Sequence, residues 1–105
     1  MRTARLAPEA EAELRAAAAW YKERSPEVAR RFLAEVRALS RAVARMPFRF
    51  AALVDPERDP PARRALVPGF PYAIIFVVTE QTVYVLAIAH QHRAPGYWIH
   101  RVRAR

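Results

Sequence analysis

The sequence predicts a single α+β domain of order β-α-α-β-β-β, an N-terminal helical hairpin packed on one face of a small, mainly antiparallel sheet. Three observations predict it. Apolar residues in the first half recur with a helical period of about 3.6. From residue 64 onward they bunch instead into short β-branched runs. The chain has 105 residues, and domains usually run to about 100 to 200, so residues 1–105 are expected to share one core. Hydrophobic residues make up 53% and charged residues 27%, well clear of the low hydrophobicity that leaves a chain unable to offset its ordering entropy.

Thr3 to Leu6 fits a short first strand. Pro8, followed by Glu9, Glu11 and Glu13, opens a helix with proline at its first position and acids at the positive end of its dipole. That helix should reach about Lys22, since Ala10, Leu14, Ala17 and Tyr21 fall on one face. Ser25-Pro26-Glu27 repeats the opening with a serine N-cap. Val28, Phe32, Val36, Leu39, Val43 and Met46 then trace one apolar stripe until Pro47 stops the helix.

Prolines at 47, 56, 60 and 61, with Asp55, Glu57 and Asp59, make the stretch to Ala62 an irregular loop of unusual length. Arg64 to Val67 reads as a short strand, and Pro68-Gly69-Phe70-Pro71 as a turn. Tyr72 to Thr79 is a β-branched strand that turns at Glu80 and Gln81 into Val83 to Ala89. Strands this close in sequence pair as an antiparallel meander, with the two apolar ones central. The partner of the first strand is not legible. The apolar pattern that builds the core ends at Ala89, residues 99–105 are expected to be a frayed terminus, and the second face of the sheet, beside the long loop and the C-terminal tail, is expected to be free for function.

Composition narrows the function classes. There is no cysteine, which excludes disulfide frameworks, thiolate zinc sites and cysteine nucleophiles, and fits a reducing cytoplasm. The start MRTARLAPEAEAEL is broken by charge every few positions, so no secretory signal is expected. The longest strongly apolar run, Tyr72 to Val78, is far short of the roughly 20 residues that span a bilayer, so no membrane partner is expected. The net charge is +8, from seventeen arginines and Lys22 against 10 acids. Abundant alanine and arginine is also what a GC-rich coding bias would give, so position matters more than count. Residues 61–105 carry six arginines and only Glu80, which concentrates the positive field in the C-terminal half.

Several side chains there could carry chemistry. His90, His92 and His100 are the three histidines, and no acid accompanies them at ligand spacing, so neither metal nor cofactor is expected. Tyr97 and Trp98 could stack bases or staple the segment to the core. Arg101, Arg103 and Arg105 alternate along the tail, either as solvated charge or as phosphate contacts.

Trp20-Tyr21 closing the first helix, Arg63-Arg64 opening the sheet, Phe70-Pro71-Tyr72 before the long strand and VLAIAHQHRAPGYW from Val85 to Trp98 stand in an order and spacing that resembles the RelE/ParE superfamily of toxins from bacterial type II toxin-antitoxin systems. The resemblance spans nearly the whole chain. It implies a cytoplasmic toxin, of the ParE-like plasmid stabilisation kind, neutralised by a cognate antitoxin and able to form a heterotetramer with it. RelE-like members cut mRNA on the ribosome without a metal; ParE-like members poison DNA gyrase.

Metal-free RNA cleavage needs a base for the 2′-oxygen, a cation for the phosphorane and an acid for the 5′-oxygen. The resemblance implies Arg64 as the phosphate-gripping arginine and His92 as acid or base, with His90 beside it and Glu57 a distant candidate base. Only one of Arg63 and Arg64 can point to the open face, because strand side chains alternate. Where nuclease relatives carry a tyrosine, Arg93 stands here. That departure tilts the expectation towards gyrase inhibition, with Arg63, Arg64, Arg93, Tyr97, Trp98, Arg101 and Arg103 as candidate target- or nucleic-acid-binding residues and the RelE-like nuclease as the alternative.

Overall fold

The computed structural model describes residues 2–53 and 58–101 and the backbone of 102–104. Its elements are β1 (Thr3–Leu6), α1 (Pro8–Arg24), α2 (Pro26–Arg45), a 3-10 turn (Pro47–Arg49), β2 (Arg63–Leu66), β3 (Tyr72–Val78), β4 (Thr82–His90) and a second 3-10 turn (Ile99–Ala104). The expected α+β order is met. No described helix is long and apolar enough to cross a membrane.

Both helices begin as their sequences dictate. Each has proline in its first turn followed by acid, and the Ser25 hydroxyl accepts the Val28 N–H at 3.3 Å, satisfying one of the donors that a helix start leaves unpaired. The stripe on α2 buries Phe32, Val36 and Val43, and α1 adds Ala10 and Ala17. Met46, expected to close that stripe, is 53% exposed because the helix ends at Arg45. Phe32 packs 5.1 Å from both Tyr21 and Phe70 and 5.3 Å from Tyr72, so one aromatic cluster joins both helices to the β2–β3 turn.

The sheet order is β1-β4-β3-β2, antiparallel except that β1 runs parallel to β4. The two apolar strands are central, as expected. A register shift pairs Ile75 with Ala87 but Phe76 with Val85, leaving Leu86 as an extra residue in β4. Such a bulge resets the alternation, so Val83, Val85 and Ile88 face the helices while Leu86 and Ala87 face the other side.

That other side is not left bare. Ala62, Ala73, Ile75, Val77, Leu86, Ala87 and Trp98 form a second buried cluster there, covered in part by the loop before β2 and by residues 91–101. The near-continuous apolar runs of β3 and β4 follow from burial on both faces. The expectation of a frayed tail is corrected at Arg101, which is only 8% exposed, whereas Trp98, at 7%, takes the core-stapling one of its two expected roles.

Candidate functional site

What remains uncovered on the second face is a cleft of about 540 Å³. Ala73, Ile75 and Ala89 lie at its floor; Arg64, Leu66 and the β2–β3 turn make one wall, and residues 90, 91 and 93–98 the other. Both walls turn on a glycine. Gly69 and Gly96 have φ of +80° and +77°, a region that suits a residue without Cβ. At Gly96 an added Cβ would also lie 2.8 Å from Ile99 Cδ1.

Strand alternation divides the arginine pair. Arg64 is exposed and lines the cleft. Arg63 faces the helix side, where it donates to the Phe50 carbonyl at 2.8 Å and lies 5.0 Å from the centre of the Phe48 ring. Only Arg64 of the pair reaches the second face, as alternation required, and Arg63 does not line the cleft.

His90 ends β4 and stands edge-on to Tyr72 at 5.0 Å. The His92 backbone N–H donates to His90 Nδ1 at 3.1 Å, which leaves the proton of a neutral His90 on Nε2. The two imidazoles are 5.2 Å apart, but only His90 lines the cleft; His92 lies outside it. Among the described residues no aspartate or glutamate lines the cleft, and no three histidine, aspartate or glutamate side chains are grouped as a metal would need. Glu57, the Arg103 side chain and Arg105 lie outside the described residues.

The far wall is anchored by a residue that sequence reasoning passed over. Glu13 of α1 accepts the Ile88 N–H at 3.0 Å, the Tyr97 hydroxyl at 2.8 Å and both Nη atoms of Arg101 at 3.0 Å. Arg101 Nη1 also donates to the Leu86 carbonyl at 2.9 Å. The physical need is clear from β1, which ends its pairing with β4 at Val85. Beyond that point the outer edge of β4 has lost its strand partner, and Glu13 and Arg101 take over two of its backbone groups.

Arg101, expected to meet a target, is thus turned inward and held between Glu13 and β4, and Trp98 is a staple in the second core. The Glu13 hydrogen bond raises the Arg101 pKa against the opposing effect of burial. Burial first, then the hydrogen bond and charge of Glu13, push the Tyr97 phenol up to about 12. Arg93 stays outside this core, its side chain 54% exposed, 4.0 Å from Glu13 and 3.9 Å from the centre of the Tyr97 ring. One signal for Glu13 was present: it stands three residues after Ala10 and four before Ala17, hence on the buried stripe rather than among the solvated acids.

A second concavity, of about 520 Å³, lies on the helix side between β1 and α2. Leu6, Leu14, Val36 and Ala44 line it with Arg2, Arg37, Arg41 and Arg45. The last three are four residues apart on one stripe of α2, and among the described residues none of them forms an ion pair.

The family model described as "ParE toxin of type II toxin-antitoxin system, parDE" matches residues 4–95. Among solved structures, a chain from "Chromosomal ParDE TA system from P. aeruginosa" is similar, with a TM-score of 0.69 and 20% sequence identity over 86% of this chain and 96% of that one. No curated protein matches.

Proposed function

Because the chain belongs to the ParE toxin family of type II toxin-antitoxin systems, we propose that it acts in the cytoplasm as an inhibitor of DNA gyrase, engaging its target through the cleft and the exposed guanidiniums of Arg64 and Arg93. The observation that carries this reading is the composition of the cleft. It offers cations and apolar floor but no described carboxylate. Two tyrosines line it: Tyr97 donates its proton to Glu13 and has a pKa pushed up to about 12, and burial raises that of Tyr72 as well, so both make poor bases at neutral pH. Such a surface suits binding better than proton transfer.

The toxin-antitoxin family implies an antitoxin partner. The groove along α2 fits an acidic segment with apolar side chains: its floor is apolar, and Arg37, Arg41 and Arg45 present charge with no ion-pair partner among the described residues. It opens on the helix side, away from the target cleft.

The RelE-like alternative is favoured by one observation, that Arg64 and His90 line the same cleft. Induction in growing cells separates the two readings. Gyrase inhibition predicts that DNA synthesis stops first, with gyrase-linked breaks and intact mRNA. Early arrest of translation with mRNAs cut on ribosomes, abolished by Arg64→Ala, would overturn it.

A further inference from the structure

Glu13 makes four hydrogen bonds through two oxygens: Oε1 accepts from Ile88 and Arg101, Oε2 from Tyr97 and Arg101. That saturates the usual capacity of a carboxylate. Arg93, at 4.0 Å from Oε2, therefore interacts with it by charge and not as a fifth hydrogen bond. Its other neighbour is the face of Tyr97, whose orientation is pinned by the hydroxyl on Glu13. The Arg93 guanidinium is thus held by a ring and a carboxylate that are themselves fixed to α1, to β4 and to the second 3-10 turn. One carboxylate serves two guanidiniums; that of Arg101 is buried, so the uncompensated positive charge is displayed at Arg93 on the cleft wall.

We propose that Glu13 is the positioning residue of the target site, acting through Tyr97 and Arg93: it holds the Arg93 guanidinium stacked on Tyr97 and aimed along the cleft wall. The proposal rests on the reading of the cleft as the target surface. Its physical content is preorganisation. A free arginine side chain loses rotamer freedom on binding, whereas one already stacked and oriented loses less. By that reasoning, releasing Arg93 weakens target engagement about three- to tenfold. It leaves the antitoxin groove on the helix side untouched.

The test is a double-mutant cycle read by growth inhibition, which does not presuppose the target, with melting temperature and antitoxin binding as controls. Glu13→Gln and Arg93→Ala are made singly and together in the full chain. The expected result is that each raises the toxin dose needed for arrest, while Glu13→Gln adds less than about twofold once Arg93 is gone. A spectroscopic signature accompanies it. Stacking on Tyr97 shifts the Arg93 side-chain protons upfield in the wild type, and Glu13→Gln returns them to ordinary values.

Additive losses, or an Arg93→Ala protein as toxic as the wild type, would overturn the proposal. If Glu13→Gln does not fold, Tyr97→Phe decides, since it deletes only the hydroxyl that reaches Glu13. Weaker toxicity with displaced Arg93 resonances supports the proposal; wild-type toxicity and resonances refute it. Arrest of growth without an effect on gyrase would sink the gyrase reading, while the coupling measured between Glu13 and Arg93 would still stand.

Discussion

Arg101 and Arg93 lie eight residues apart and both approach Glu13, yet their environments give them opposite expected behaviour. Arg101 is buried in a bidentate pair, and removing one partner of such a pair leaves the other charge stranded, at a cost of about 3 to 5 kcal/mol. Because Glu13 keeps some solvent contact, with 17% of its side chain exposed, the lower end is expected for Arg101→Ala, measured by urea unfolding. A loss below about 1 kcal/mol would mean the pair behaves as a surface bridge. Arg93→Ala should change stability little.

Tyr97 offers a second residue-scale prediction. Its folded pKa is raised from 10.0 to about 12, so the stability linked to its proton is fully present below pH 10 and is lost as pH rises through 12. Absorbance titration at alkaline pH should show a late-ionising tyrosine that Tyr97→Phe removes; Tyr21 and Tyr72 are also raised, mainly by burial. Loss in the variant of a tyrosine that ionises near 10, with the late-ionising one retained, would contradict the raised pKa of Tyr97. At this scale the sequence was legible only in part. Alternation foretold that one of Arg63 and Arg64 would reach the open face. It could not foretell that Arg101 would find Glu13, 88 residues away, because a buried ion pair leaves no periodic trace. That is why arginines read as a solvated tail turned out to include a structural one.

Among the elements, the helices and central strands were legible because caps, proline stops and apolar periods are local signals. The structure extends the first helix to Arg24 and places the second sheet-forming strand at Arg63–Leu66, shifts of a residue or two at frayed ends. Two features were not legible. A parallel partner for β1 depends on a crossover through most of the chain, and a four-residue strand carries no code for it. The bulge at Leu86 hides inside a run that is apolar at every position. The α2 stripe of Arg37, Arg41 and Arg45 carries the prediction proper to this scale. Reversing two of its charges, Arg37→Glu with Arg41→Glu, should weaken antitoxin binding about tenfold or more, by like-charge repulsion against an acidic segment, while leaving growth inhibition intact. Calorimetry on the toxin-antitoxin pair checks it, and unchanged affinity would move the antitoxin off this groove.

For the whole molecule, a net charge of +8 is divided between two faces of one sheet scaffold, a groove on the helix side and a cleft on the other. The concentration of charge in the C-terminal half was legible from sequence, but not every arginine there serves the cleft. Arg63 faces the helices and Arg101 is buried, while the Arg103 side chain and Arg105 lie outside the described residues. The charge that lines the cleft is therefore narrower than composition implied: among the described residues it comes from Arg64 and Arg93. The most direct measurement is a supercoiling assay with purified gyrase, comparing the wild-type protein with Arg64→Ala and Arg93→Ala variants of matched melting temperature. Inhibition by the wild type is expected, weakened about tenfold or more by either substitution, with no cleavage of mRNA by any of the three. Unimpaired supercoiling at all toxin concentrations, or inhibition that both variants retain in full, would contradict the assignment of the cleft as a gyrase-binding surface.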